Sequence, residues 1–303
     1  MNRLRRAVLV VLTATAVSVG AAAPPLPRMT RLSDGVYFYE HVDPTKAGVT
    51  ANNLVVVGAD AVLVADGQGT PENTAELVAA IAALTPRPIR YVVVGSEHGD
   101  HRGGDSAFPA TATFVAHPSS QAALKAQSVS PSRRAGAPPV VVPTETEDHA
   151  RTIDLGGRSV VVRFLGRAHT GGDLEVLVPQ ARVVYMSEAY ISGIFPSMAN
   201  GFPTEWAAML KAAETLDVDT FVPAHGLVDA SPVLTREGVV AYREAIEAVI
   251  AEGRRLHDAG VPAADTPAQS RFGAMAGLHR YKENVAGALG RVYAELDGAL
   301  PKP

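Results

Sequence analysis

Apolar residues along the chain fall first into short runs, some alternating and some continuous, punctuated by glycine and proline, and then into longer runs of helical period. Gly35-Val36-Tyr37-Phe38-Tyr39 reads as a strand, and Asn53 to Val57 and Ala61 to Ala65 read as two more, joined by a Gly58-Ala59-Asp60 turn. From Pro71 to Leu84 the period changes: Leu77, Ile81 and Leu84 recur at helical spacing, and Pro71 suits a first turn. Ile89 to Val94, apolar but for Arg90, has the pattern of a strand buried on both faces. The opening of the chain therefore predicts β-β-β-α-β. The segment Ser128 to His149 carries Pro131, Pro138, Pro139 and Pro143 before an acidic Glu145-Thr146-Glu147-Asp148 run, and predicts an irregular crossover, either a lid over a site or a surface connection. Strand patterns resume at Ser159 to Leu165, Leu174 to Val178 and Arg182 to Met186. A helix from Thr204 to Leu216, a short strand from Thr220 to Val222, and helices from Thr235 to His257 and Asn284 to Leu296 follow. Strands and helices recur in two halves of similar order, which predicts two sheets back to back with helices outside.

Composition narrows the setting. The 303 residues are 47% hydrophobic and 19% charged, enough for a sizeable core. A formal charge of -4 without a basic block leaves nothing to attract nucleic acid. The N-terminus differs from the rest: Asn2-Arg3-Leu4-Arg5-Arg6 is positive, Ala7 to Val19 is apolar, and Gly20-Ala21-Ala22-Ala23 is small. That is the layout of a bacterial-type signal peptide over residues 1–23, followed by a domain over residues 24–303, and it predicts an exported protein, periplasmic or secreted. The apolar run is short for a membrane span, and Pro24 and Pro25 follow it. An uncleaved leader would be its one link to a membrane. With no cysteine, disulfides are excluded, and any metal must be held by His, Asp, Glu or other oxygen ligands.

Nine histidines are spread over the chain, and four of them, His98, His101, His169 and His225, sit in glycine-containing turns directly after predicted strands. His98-Gly99-Asp100-His101 packs three metal-ligating side chains into four residues; in a tight loop neighbouring side chains splay apart and can serve two adjacent metals. Ala168-His169-Thr170-Gly171-Gly172-Asp173 and Val222-Pro223-Ala224-His225-Gly226 place further histidines, and Ser187-Glu188 puts a carboxylate at a strand end. Each alone has a dull reading, a surface histidine or a helix-capping acid. Together, in this order, they point to a metal site in loops at strand ends. His41, His117, His149, His257 and His279 lie outside these turns; the Arg280-Tyr281-Lys282 patch after His279 meets substrate or is only surface, and Phe195-Pro196-Ser197-Met198 is pocket wall or core.

These turns resemble, as an ordered set, those of the metallo-β-lactamase superfamily. Val94 to Gly104 is similar to its His-x-His-x-Asp-His signature, Ala168 to Asp173 to its Gly-His-Thr-x-Gly-Asp turn, Ser187-Glu188 to its Gly-Asp pair, and Val222 to Gly226 to its Val-Pro-Gly-His-Gly turn. The resemblance implies an α/β fold, the αββα four-layer sandwich. It implies that His98 and His169 face a first metal, that Asp100, His101 and His225 face a second, that Glu188 takes the place of the bridging aspartate, and that Asp66 supports from behind. Two departures stand out. Ser96 replaces the first histidine of the signature, and Glu188 is one methylene longer than aspartate. Ser96 is expected to bind a metal weakly, directly or through water, or not at all; Glu97 is a substitute ligand only if strand alternation fails.

The chemistry implied is hydrolysis. One or two zinc ions (Zn2+), or other divalent metals, would present a metal-bound hydroxide to the carbonyl of a small-molecule ester, lactone or lactam. Asp100 is the expected catalytic residue, orienting that water, with His98 or His169 as general base where not ligating. The alternatives are a vestigial, metal-poor member acting as a binding protein, and a β-lactamase; against the latter, Glu188 fills a place that the superfamily's β-lactamases usually leave without a carboxylate.

Overall fold

Two sheets carry the strands predicted from the apolar runs. The computed structural model describes residues 26–41, 51–226 and 234–302. The first sheet has seven strands in chain order: β1 (Arg28–Ser33), β2 (Val36–Glu40), β3 (Asn53–Val57), β4 (Val62–Ala65), β5 (Ile89–Val94), β6 (Thr113–Ala116) and β7 (Glu145–Thr146). The second has five, β8 (Ala150–Asp154), β9 (Ser159–Arg163), β10 (Glu175–Val178), β11 (Val183–Tyr185) and β12 (Thr220–Val222), again in chain order across the sheet. The helices are α1 (Pro71–Leu84), α2 (Gly99–Arg102), α3 (Pro118–Ser128), α4 (Pro203–Ala213), α5 (Arg236–Asp258), α6 (Thr266–Gln269) and α7 (Tyr281–Leu296). The leader expected over residues 1–23 lies outside the described residues; among those described, no helix is long and apolar enough to cross a membrane.

Strand alternation sorts the apolar side chains into three layers. Leu54, Val56, Leu63, Ala65 and Val93 face inward and meet Val160, Val162, Val176, Val183, Tyr185 and Val222 of the second sheet. Their neighbours Val55, Val62, Val64, Val92 and Val94 face outward onto Leu77 and Ile81 of α1 and Leu124 of α3. On the other side Val184 and Phe221 face Trp206, Met209 and Leu210 of α4, Ile246 and Val249 of α5 and Leu289 and Val292 of α7. The architecture is thus the αββα sandwich. Burying each such side chain contributes about 1.5–3 kcal/mol before conformational entropy is charged against it.

Elements the apolar pattern does not reveal are explained by their edges. β1 pairs antiparallel with β2 and is mostly polar; Arg28 forms an ion pair with Glu40 across the pair at 2.5 Å. The acidic run of the predicted crossover begins with β7, a short edge strand parallel to β6. Its proline-rich part, around Ser130, Arg133 and Pro138, lines a hollow with Gly99, Arg102 and Gly103 of the α2 turn. Leu84 is 40% exposed at the end of α1, where the spacing had placed it on the core face.

The strands β4, β5, β11 and β12 all end at one edge of the sandwich, since β4 runs parallel to β5 and β11 to β12. Backbone hydrogen bonds stitch the sheets there: the Leu174 N–H donates to the Gly95 carbonyl at 3.0 Å and the Asn52 N–H to the Ala224 carbonyl at 2.7 Å. Every candidate ligand hangs from a turn on this edge.

Candidate metal centre

Glu188 is the hub of the edge. The chain leaves β11 through Ser187 in a left-handed conformation (φ 46), which turns the next side chain across the gap between the sheets. Glu188 is buried, and its Oε1 lies 3.2 Å from His169 Nε2, 3.4 Å from His225 Nε2 and 3.6 Å from His101 Nε2. Its Oε2 lies 2.8 Å from His98 Nδ1 and accepts the Ser96 hydroxyl at 2.5 Å. Glycine makes room for this convergence: a Cβ on Gly95 would sit 2.6 Å from Ser187 Oγ and 3.1 Å from Asp66 Oδ2.

The six residues expected from the sequence come together as two overlapping groups, Asp100, His101, Glu188 and His225, and His98, His169 and Glu188, each with its ligating atoms within 4.8 Å of one another. The two groups are not built alike. In the first, His101 is fully buried and its Nδ1 meets Asp66 Oδ2 at 2.8 Å, which fixes the ring and turns Nε2 toward His225 Nε2, 2.9 Å away. Asp66 in turn accepts the Gly95 N–H at 2.6 Å and the Tyr185 hydroxyl at 2.7 Å. Asp100 Oδ2 stands 3.4 Å from His225 Nε2 at the rim. In the second group, His98 is partly exposed and the buried Nδ1 of His169 has no hydrogen-bond partner among the described residues, while its ring stands edge-on to Trp206.

The electrostatics follow from one carboxylate surrounded by imidazoles. Burial works against the ionised form of Glu188, but the charges of His169 and His101 outweigh it and hold the carboxyl well below its usual range. Burial likewise disfavours protonated His98, yet the hydrogen bond to Glu188 and its charge lift it to about 9. His101 is raised well above its ordinary value against its burial, by Glu188 and Asp66, and His169 is raised by Glu188 in the same way. A buried anion gathering four imidazoles is a site that favours positive charge at its centre. Nitrogen and carboxylate donors, with no thiolate, suit zinc and other divalent cations, so the residues present fit such an ion.

Ser96 settles into a role that neither departure from the signature suggests alone. Its hydroxyl pairs with the Glu188 carboxylate, and the same oxygen accepts the His98 N–H at 3.3 Å. Glu97 turns the other way and accepts from Ser120 Oγ at 2.8 Å; it belongs to neither ligand group. Among the remaining histidines, His117 caps α3 and lies against Phe164, His41 pairs with Glu76, and His257 with Asp297. Phe195 and Met198 are core, whereas Ser197 between them lines the pocket. Tyr185, which supports Asp66, reads in the sequence only as a strand residue; a hydroxyl on the inner face of a buried strand was the available clue.

A pocket of about 360 Å³ opens at the candidate ligands, lined by His98, Asp100, His169, Glu188 and His225 together with Ile191, Ile194, Ser197, Asn200, Arg280 and Asn284. Its volume and mixed lining suit a small molecule.

Comparison with known proteins places this geometry. A metallo-beta-lactamase from Pontibacter korlensis superposes with a TM-score of 0.62 at 18% identity, over 73% of this chain and 98% of that one. A metallo beta lactamase from Erythrobacter litoralis, solved with beta mercaptoethanol in the active site, superposes with a TM-score of 0.58 at 21% identity, over 72% of this chain and 95% of that one. At such identities the likeness is one of fold. The model of the metallo-beta-lactamase superfamily matches residues 47–225, more than half of the sequence and a span that ends on the last histidine of the site, and the chain belongs to that superfamily.

Proposed function

We propose that the protein is a metal-dependent hydrolase acting on the carbonyl of a small ester, lactone or lactam, with zinc as its metal. The observation that carries this reading is the convergence of His101, His225, Asp100 and Glu188 beneath an open pocket, with His101 oriented from behind by Asp66. A divalent cation held there would lower the pKa of water and polarise a substrate carbonyl. The chain's own residues supply the rest. Asp100, at the rim, is placed to orient a water and take its proton. His98 and His169 border the pocket and can deliver a proton to a leaving group. The Ser96 hydroxyl holds one oxygen of Glu188 and so gives up the ligand role of the missing histidine. The His98–His169 group, lacking that donor and with His169 Nδ1 unanchored, is the weaker of the two, which favours one tightly held ion with a second bound weakly.

The two solved structures are named metallo-beta-lactamases, which keeps a lactam among the substrates; the carboxylate at Glu188 weighs toward the wider class of esters and lactones. Against a vestigial binder stand the six converging donors and the support of His101 by Asp66. The signal-peptide layout of residues 1–23 is the basis for proposing export, checked by the N-terminal sequence of the protein recovered outside the cytoplasm.

The test pairs elemental analysis with turnover. Wild type should hold about one metal per chain after exhaustive dialysis and Ser96→His about two. Asp100→Ala and His225→Ala should each lose at least about a hundredfold in the chelator-sensitive hydrolysis of ester and lactam reporters. Unchanged chelator-sensitive activity in both variants sinks the mechanism, and no bound metal after zinc is supplied sinks the hydrolase.

A further inference from the structure

Arg280 lines the same pocket as the candidate ligands and is the arginine among its lining residues. Several other arginines of the described residues are engaged with carboxylates: Arg167 with Glu205, Arg182 with Asp217 and Asp219, Arg243 with Glu214 and Glu247, Arg255 with Glu252; others, such as Arg90 and Arg254, have no such partner among the described residues but do not line the pocket. The guanidinium of Arg280 makes no hydrogen bond or ion pair to a described residue, although the side chain is half-buried. Its backbone is left-handed (φ 58, ψ 21), a conformation that suits glycine and that an arginine adopts against its own sterics. The position is also held. The Phe195 N–H donates to the His279 carbonyl at 2.9 Å, Asn284 Nδ2 donates to the Phe195 carbonyl at 2.8 Å, and the Asn284 N–H donates to the Arg280 carbonyl at 3.0 Å. These bonds tie the turn before α7 to the segment that follows Glu188, so the distance across the pocket is set by the fold. Residue 280 lies beyond the superfamily match, which stops at residue 225.

We infer that Arg280 is the recognition site for a carboxylate on the substrate, so that the substrate class is an anionic acyl compound: an ester, lactone or lactam bearing a carboxylate away from the bond that is cut. A strained, pinned arginine in a concave site, without a partner among the described residues, is matched by a planar anion that its guanidinium can grip with two parallel hydrogen bonds. Ser197, Asn200 and Asn284, which line the same pocket, add uncharged polar groups for the remaining lone pairs. The inference rests on the hydrolase reading for the word substrate, but the anion site itself does not.

The experiment therefore has two arms. Calorimetry of the full zinc-loaded protein with glutarate and with neutral glutaramide measures binding without turnover. Wild type should prefer glutarate, and Arg280→Met should weaken glutarate about ten- to a hundredfold, with Arg280→Lys between them. Arg280→Gly, which relieves the left-handed residue, should melt no lower than wild type and still lose the preference, separating recognition from folding. In the second arm, the ratio of kcat/KM for a carboxylate-bearing nitrophenyl ester over its methyl ester should fall by the same factor in Arg280→Met, chiefly through KM. Equal glutarate affinity in wild type and Arg280→Met, or no preference over glutaramide in wild type, overturns the anion site. If wild type binds glutarate through Arg280 and cleaves neither ester, the site stands and the hydrolase reading falls.

Discussion

Asp66 shows how much of the centre depends on a residue that does not border the pocket. Fully buried, it takes hydrogen bonds from Gly95 and Tyr185 and orients His101. Asp66→Asn puts an amide hydrogen against one of these donors and removes the charge facing His101. Zinc affinity should fall about ten- to a hundredfold, with stability lower by about 2–4 kcal/mol, read by competitive chelation and urea unfolding; unchanged affinity would detach Asp66 from the site. Glu175, fully buried on β10, tests the electrostatics away from the ligands. Burial first, and the charge of Asp173 next, push its carboxyl well above the usual range, while Arg163 only partly offsets them, and one oxygen accepts the Leu165 N–H at 3.1 Å. In the unfolded chain a glutamate ionises near pH ~4.3, whereas the folded protein keeps this proton to higher pH. Wild type therefore loses stability as pH rises above ~4.3, by up to about 1.4 kcal/mol per pH unit, until the folded value is passed. Glu175→Gln keeps the acceptor and should flatten that slope between pH 4.5 and 7.5; parallel melting-temperature curves for the two proteins would refute it. The residue scale is also where the sequence is most and least legible. The six candidate ligands stand out because each follows an apolar strand in a short turn. Ser96 does not reveal its partner, because Glu188 is 92 residues away in the sequence.

At the scale of elements, helical periodicity was the clearest signal and sheet edges the faintest. In α5 the spacing of Val239, Tyr242, Ile246 and Val249 marks the buried face, and in α7 that of Val285, Leu289 and Val292 does the same. β1, whose exposed and half-buried positions carry two arginines, gives no such pattern, and β7 is two residues long. What periodicity cannot show is which helices touch. Gly253 on α5 marks that contact: a Cβ there would lie 2.6 Å from Val292 Cγ1 and 2.9 Å from Val292 Cβ on α7. Alanine at 253 would gain about 1 kcal/mol in helix propensity, but the crowding costs about 1–3 kcal/mol, and the branched Val292 has little freedom to move aside. Gly253→Ala should be neutral to mildly destabilising and Gly253→Val should lose at least about 2 kcal/mol, measured by denaturant midpoint. A Gly253→Val protein as stable as wild type would mean that α5 and α7 separate without cost.

For the molecule as a whole, the superfamily match stops at residue 225, yet the fold does not close there. The outer face of the second sheet is covered by α4, α5 and α7, and the core on that side includes Val239, Tyr242, Ile246, Val249, Leu256, Val285, Leu289 and Val292, all from beyond that point. At about 1.5–3 kcal/mol for each large apolar side chain, these eight contribute about 12–24 kcal/mol before conformational entropy, as large as the 5–15 kcal/mol by which a domain of ordinary stability exceeds its unfolded state. A chain ending at residue 234 would keep all six ligands, Asp66 and Ser96, and would leave the apolar faces of Trp206, Met209 and Phe221 without their cover. It should therefore aggregate or remain expanded in gel filtration, lose its cooperative thermal transition, and hold no zinc through dialysis, although no ligand has been removed. If instead the shortened chain folds and retains zinc, the C-terminal helices are an accessory to the centre, and their contribution reduces to the wall of the pocket that carries Arg280 and Asn284. The expected outcome follows from the order of causes in this fold: Glu188 and His225 are held at the sandwich edge by β11 and β12, those strands keep their places only while Val184 and Phe221 are buried on the outer side, and that burial is supplied in large part by residues that bear no ligand.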